Sequence, residues 1–267
     1  MRRHPIIFFL WASPISIALS QTAADLSPEV RGRQIAEEAD RRDQGFGDTV
    51  TEITMRLTST DGRVRERRLT WQILENPDPV DGDKSLTVFH EPRDIAGTAF
   101  LTFTHIEQED DQWLYLPALK RVKRIASVNK TSSFMGSELA YEDLLSDEVE
   151  KFNYRWLRDE PCAGLVCFVI ERIPLYENSG YSKQILWLDQ AEYRVVRIEY
   201  YDLRDRHEKT LTLEDHRQYL GRYWRAHEYR MENHLTERQT LLSFAPYEFQ
   251  TGLTEQAFDP NALRRVR

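Results

Sequence analysis

Cysteine is almost absent from this chain: Cys162 and Cys167 are the only two in 267 residues. That excludes a disulfide-framework fold and a metal site built from several thiolates. The pair lies in C-A-G-L-V-C, whereas a redox dithiol favours a tighter C-x-x-C at a helix start. In an oxidising compartment it instead closes a small loop, worth about 2 kcal/mol in the chain-entropy model. A structural Cys162–Cys167 disulfide is expected. Glycine and proline are also modest, 11 of each beside 40% hydrophobic residues, which excludes a low-complexity or disordered chain. Positive charge is in deficit, with 36 Lys and Arg against 44 Asp and Glu. Phosphate backbones repel such a chain as a whole, so nucleic acid is not expected as a partner.

Catalytic signatures are missing too. Ser137 sits in M-G-S-E rather than in a G-x-S-x-G elbow, and no H-E-x-x-H occurs. His90, His105, His207, His216, His227 and His234 are scattered without metal-ligand spacing. No enzyme activity, metal or cofactor is expected.

What the sequence does contain begins with an export-like N-terminus. Arg2 and Arg3 precede an apolar run from Ile6 to Leu19, with small residues at Ala18 and Ser20. The run is shorter than the ~20 residues of a spanning helix, and Pro14 interrupts it. A signal peptide over residues 1–20 is expected, cleaved near Gln21, with a periplasmic single domain over 21–267. Without residues 1–20 the chain carries 34 basic and 44 acidic side chains, a net of −10.

Ser27-Pro28-Glu29 has the pattern of a helix start and predicts a helix over about 28–43, ended by Gly45 and Gly47. Period-two alternation dominates the rest. Ile53, Met55 and Leu57 alternate with Thr54, Arg56 and Thr58, and Asp61-Gly62 turns the chain into a return strand carrying Leu69 and Trp71. The pattern recurs at short intervals and predicts a mainly β, antiparallel sheet of about eleven to thirteen strands. One helix is little cover for so much sheet, so an apolar interior accessible to a ligand is expected. Its candidate lining residues are Leu57, Trp71, Phe100, Trp113, Tyr115 and Trp156. The segment Phe134–Leu144, bearing Leu139, Tyr141 and Leu144, is expected to be a flap over the opening. The basic run Lys120, Arg121, Lys123 and Arg124 is either a docking patch for anionic surfaces or a charged sheet edge that discourages strand-to-strand aggregation.

Two segments resemble a known family. They are W-L-Y-L-P-A-L-K-R-V-K-R-I followed by S-F-M-G-S-E-L-A-Y-E-D-L, within residues 112–144, and L-W-L-D-Q-x-x-Y-R-V-V-R-I-E-Y-Y-D, residues 186–202. Both are similar to the bacterial outer-membrane lipoprotein-sorting proteins, a LolA-like group. The resemblance implies an incomplete, strongly curved antiparallel β-barrel, closed on one side by the N-terminal helix and short helical lid segments. It further implies acyl chains of a lipid or lipoprotein as cargo. An RND-type inner-membrane transporter or an outer-membrane acceptor would be the protein partner. Two rival readings are an envelope scaffold or sensor that binds a protein, and an envelope-lipid hydrolase.

Overall fold

The computed structural model describes residues 26–76, 81–145 and 148–265. The export signal expected over residues 1–20, with its cleavage point, lies outside the described residues. The one α-helix, α1 (Pro28–Asp43), starts where Ser27 Oγ accepts the Val30 N–H at 3.3 Å and Pro28 takes a first-turn position with no donor to satisfy. Ile35 and Ala36 are its buried face.

The strands are β1 (Asp48–Thr58), β2 (Val64–Leu74), β3 (Asp81–Glu91), β4 (Ala99–His105), β5 (Asp111–Leu116), β6 (Arg121–Arg124), β7 (Phe152–Cys162), β8 (Leu165–Pro174), β9 (Tyr181–Asp189), β10 (Val195–Asp202), β11 (His207–Tyr219), β12 (Tyr223–Asn233), β13 (Arg238–Phe244) and the two-residue β14 (Glu248–Phe249). They form one antiparallel sheet in the order β6-β5-β4-β3-β2-β1-β13-β12-β11-β10-β9-β8-β7, with β14 beside β1. The sheet is curled but not closed, since β6 and β7 are its free edges; this is an incomplete β-barrel. β7 and β8 are joined by Ala163-Gly164, both at positive φ as a two-residue hairpin turn requires, and the Cys162–Cys167 disulfide ties this hairpin.

Register decides which side chains share a face. Met55 lies opposite Arg67 and Leu242, and Leu57 opposite Arg65 and Thr240. On the concave face Ile53, Met55, Leu69, Phe89, Phe100, Leu114, Ile170, Ile198, Met231 and Phe244 join one large apolar cluster. The convex face carries two smaller clusters. One, around Leu86, Val88, Ala99 and Leu101, is covered by the C-terminal Phe258 and Leu263; the other surrounds Cys167, Val169 and Trp187.

Two pieces of chain cover the concave face. α1 lies chiefly against β7, also reaching β8 and β12. Gly32 makes that approach possible: a Cβ there would sit 2.6 Å from the Trp156 backbone nitrogen. The other cover is the connection between the two free edges, a strap whose described residues, 125–145 and 148–151, form short 3₁₀ turns joined by loops. Its polar N-K-T-S-S run and positive φ at Met135 and Gly136 keep it from forming a helix.

Candidate functional site

The strap seats its apolar side chains against the concave face. The Phe134 ring lies 5.2 Å from Phe100, 5.8 Å from Phe89 and 5.5 Å from Tyr141. Phe89 is 0% exposed, and Phe100 and Phe134 are each 1% exposed, so no water reaches this contact. The strap therefore occupies the apolar interior itself. Leu139 and Tyr141 are buried in the same cluster, and Leu144 packs on its margin.

Polar contacts pin the strap at both ends. Asp110 pairs with the buried ammonium groups of Lys151 and Lys130, the latter at 3.6 Å. Asp143 accepts from Lys209 at 2.6 Å and from the Tyr181 hydroxyl at 2.7 Å. Glu142 accepts from Tyr176 at 2.8 Å, from the Gly180 N–H at 2.9 Å and from Ser179. Burial nonetheless raises the Glu142 carboxyl above the ordinary carboxylate range, because these donors only partly replace lost water. Toward the barrel wall, the Glu138 N–H donates to Thr240 Oγ1 at 2.9 Å.

Where the strap meets the β1–β2 hairpin, a cleft of about 640 Å³ remains. Leu57 and Thr240 form its wall, and Gly136 and Glu138 belong to the strap. Arg63, Arg65 and Arg238 border it.

The residues singled out from sequence divide between the two faces. Leu57, Trp71, Phe100, Phe134, Leu139, Tyr141, Leu144 and Trp156 all belong to the concave cluster. Trp156 lies beneath α1, with the Arg31 guanidinium 3.8 Å from its ring. Trp113 and Tyr115 instead face outward, packed with Leu101, Ala99 and the C-terminal segment, because Leu114 takes the inward place on β5. Lys120, Arg121, Lys123 and Arg124 are exposed, Lys120 just before the edge strand β6 and the other three on it, where Arg124 pairs with Asp111. Three features escaped the sequence reading: the buried lysines 130, 151 and 209, the carboxylates that hold them, and inward-facing arginines on β2. The last carry a legible signal, since R-V-R-E-R at 63–67 alternates in phase with Leu69 and Trp71. Among the described residues no three His, Cys, Asp or Glu side chains gather as a metal site, and no helix is long and apolar enough to cross a membrane.

Known proteins share this architecture. A family model described as "Uncharacterized protein" matches residues 81–265. No curated protein matches the chain. A crystal structure from Vibrio parahaemolyticus, of a domain assigned to the outer membrane lipoprotein-sorting proteins, is 48% identical. The match covers 89% of this chain and 100% of that one, with a TM-score of 0.86. A DUF1329 family protein from Desulfovibrio piger is 30% identical over 89% of this chain and 100% of its own, with a TM-score of 0.84. A LolA superfamily protein from Nitrosomonas europaea shares the fold at a TM-score of 0.67 and 21% identity, covering 85% of this chain and 97% of that one.

Proposed function

This chain belongs to the LolA-like outer membrane lipoprotein-sorting protein family, and from that membership we propose that it is an envelope carrier that shelters acyl chains of a lipid or lipoprotein on its concave face. The observation that carries the reading is the strap. The concave face is covered by an irregular connection whose Phe134 fills the interior, not by an interlocking second sheet. Such a cover can be displaced without dismantling a strand ladder. Acyl chains gain ~0.8 kcal/mol for each CH₂ removed from water, so a chain of ordinary length outweighs the apolar contacts Phe134 gives up.

Export through the signal-like N-terminus and a periplasmic location belong to the same proposal, as does delivery by or to an RND-type transporter or an outer-membrane acceptor. The carrier works without a covalent step. Mass spectrometry of the organic extract of protein purified from its native envelope tests the reading. A lipid or lipoprotein recovered near one per chain supports it. A stoichiometric protein partner and no lipid would replace it with the scaffold reading, and substrate turnover by the purified protein with the hydrolase reading.

A further inference from the structure

The concave face is mainly apolar; where Lys209 on β11 enters it, Asp143 of the strap answers the charge, but one line of arginines borders the open cleft. Arg63, Arg65 and Arg67 are two residues apart on β2 and the hairpin before it, so their side chains share a face, as do Leu69 and Trp71 further along. Register carries the face across β1: Arg65 lies opposite Leu57, and Leu57 opposite Thr240, two residues from Arg238 on β13. Arg63, Arg65 and Arg238 border the 640 Å³ cleft, and Arg67 follows two residues further along β2, opposite Met55 and behind the cleft's lining.

These arginines are short of anions. Arg63 is answered at the rim by Asp61, at 2.5 Å. Glu138, the strap's carboxylate in the cleft, accepts from Thr236 Oγ1 at 3.2 Å. Among the described residues neither Arg65 nor Arg238 forms an ion pair. Arg67 lies deeper, 6.0 Å from the Phe89 ring centre, and its Nη1 is buried without a hydrogen-bond partner. Burial lowers the affinity of Arg67 for its proton, and the neighbouring Arg65 charge adds to the effect, with Asp94 opposing it. A buried, unanswered guanidinium N–H is costly, and a fold of net charge −8 has acids enough to answer it. Three like charges in line beside an apolar wall suit an anion attached to a greasy body. Arginine forks match phosphate oxygens in particular.

We propose that the cleft between β2, β13 and the strap binds the phosphate of an anionic lipid headgroup, held by Arg65 and Arg238 at the rim and Arg67 beneath, while the acyl chains pass along Leu57 toward the concave interior. This rests on the carrier reading and adds the headgroup class to it. Free phosphate shares the chemistry, and the test separates the two sources.

The test is titration calorimetry of the full chain with three probes: dioctanoyl-phosphatidylglycerol below its micelle-forming concentration, neutral dioctanoylglycerol and inorganic phosphate. The phosphatidylglycerol binds about tenfold or more tighter than the neutral lipid, and raising the salt severalfold shrinks the gap. Arg65 and Arg238 are exposed, so the Arg65→Gln/Arg238→Gln variant folds; it loses most of that preference while binding the neutral lipid as before. Arg67→Met checks the deeper contact, and its melting temperature without lipid matches or exceeds the parent's because a buried charge has been removed. Equal binding of the two lipids, or a preference untouched by the double variant, overturns the headgroup site and leaves the carrier standing. Inorganic phosphate binding as tightly as the phospholipid overturns the lipid source. Binding of neither lipid overturns the carrier reading, and the headgroup site with it.

Discussion

Lys209 Nζ lies 2.6 Å from Asp143 Oδ2, and the two side chains are 4% and 2% exposed. The pair joins β11 to the strap and sits beside the rings of Tyr181 and Tyr200, 5.1 and 5.2 Å from the ammonium. Removing one partner of such a pair strands the other charge, at a cost of about 3–5 kcal/mol, whereas replacing both by apolar groups is often close to neutral. Asp143→Asn should therefore lower the urea midpoint sharply, and Lys209→Met/Asp143→Leu should recover most of the loss. Hydrogen exchange over residues 130–145 should quicken in the single variant only. A double variant as damaged as the single one would show that the pair does more than hold the strap.

Phe134 supplies a second test of the strap. Phe134→Ala leaves a cavity between Phe89 and Phe100 and should cost about 3–5 kcal/mol without ligand. A long-chain fatty acid should then raise the melting temperature of the variant more than that of the parent, because the acyl chain fills the vacated space. A variant whose melting point no acyl ligand moves would mean that the space is sealed core.

Gly32 is a packing position. With the Trp156 backbone nitrogen 2.6 Å from where a Cβ would stand, Gly32→Ala must push α1 away from β7. A loss of about 1–3 kcal/mol is expected from overpacking, despite alanine's better helix propensity. Chemical denaturation measures it; a stabilised variant would contradict this contact.

Asp83 makes stability depend on pH. Burial, with the charges of Glu148, Glu75 and Asp43, raises its carboxyl from 3.8 to about 7 in the folded chain, against the pull of the Asn76 N–H. The folded state thus holds a proton that the unfolded state releases near 3.8. The stabilisation is complete below 3.8 and is lost as pH rises through about 7. Asp83→Asn should raise stability at pH 8 by up to about 4 kcal/mol and change it little at pH 4. The difference in melting temperature between parent and variant across that range reads the effect; a difference independent of pH would rule out Asp83 as its source.

The basic run from Lys120 into β6 supplies a separate test. Replacing Lys120, Arg121, Lys123 and Arg124 by Gln should weaken binding to phosphatidylglycerol vesicles by up to ~1 kcal/mol per charge at low salt, with little change in melting temperature. Unchanged binding would return the run to edge protection, and new self-association of the variant would support that role.

Much of the architecture follows from local chemistry. Ser27 and Pro28 start the helix because a cap acceptor and a residue without a donor suit its open N–H groups. Alternation wrote the strands, and Ala163-Gly164 with its flanking cysteines wrote a hairpin. What alternation does not reveal is which face is inside. On β5 Trp113 and Tyr115 alternate with Gln112 and Leu114; both sets end in apolar company, and only the positions of the C-terminal Phe258 and the strap decide between them. The buried lysines were illegible for a related reason. Lys130, Lys151 and Lys209 resemble surface residues in sequence, since a lysine enters a core only where a distant carboxylate waits, and Asp110 and Asp143 are brought to them by the crossing of the strap. The sequence by itself determined period, caps and turns, which depend on neighbours a few residues apart. The tertiary structure decided the inner face, its cover and the arginine line, because burial depends on what the rest of the chain lays over a strand.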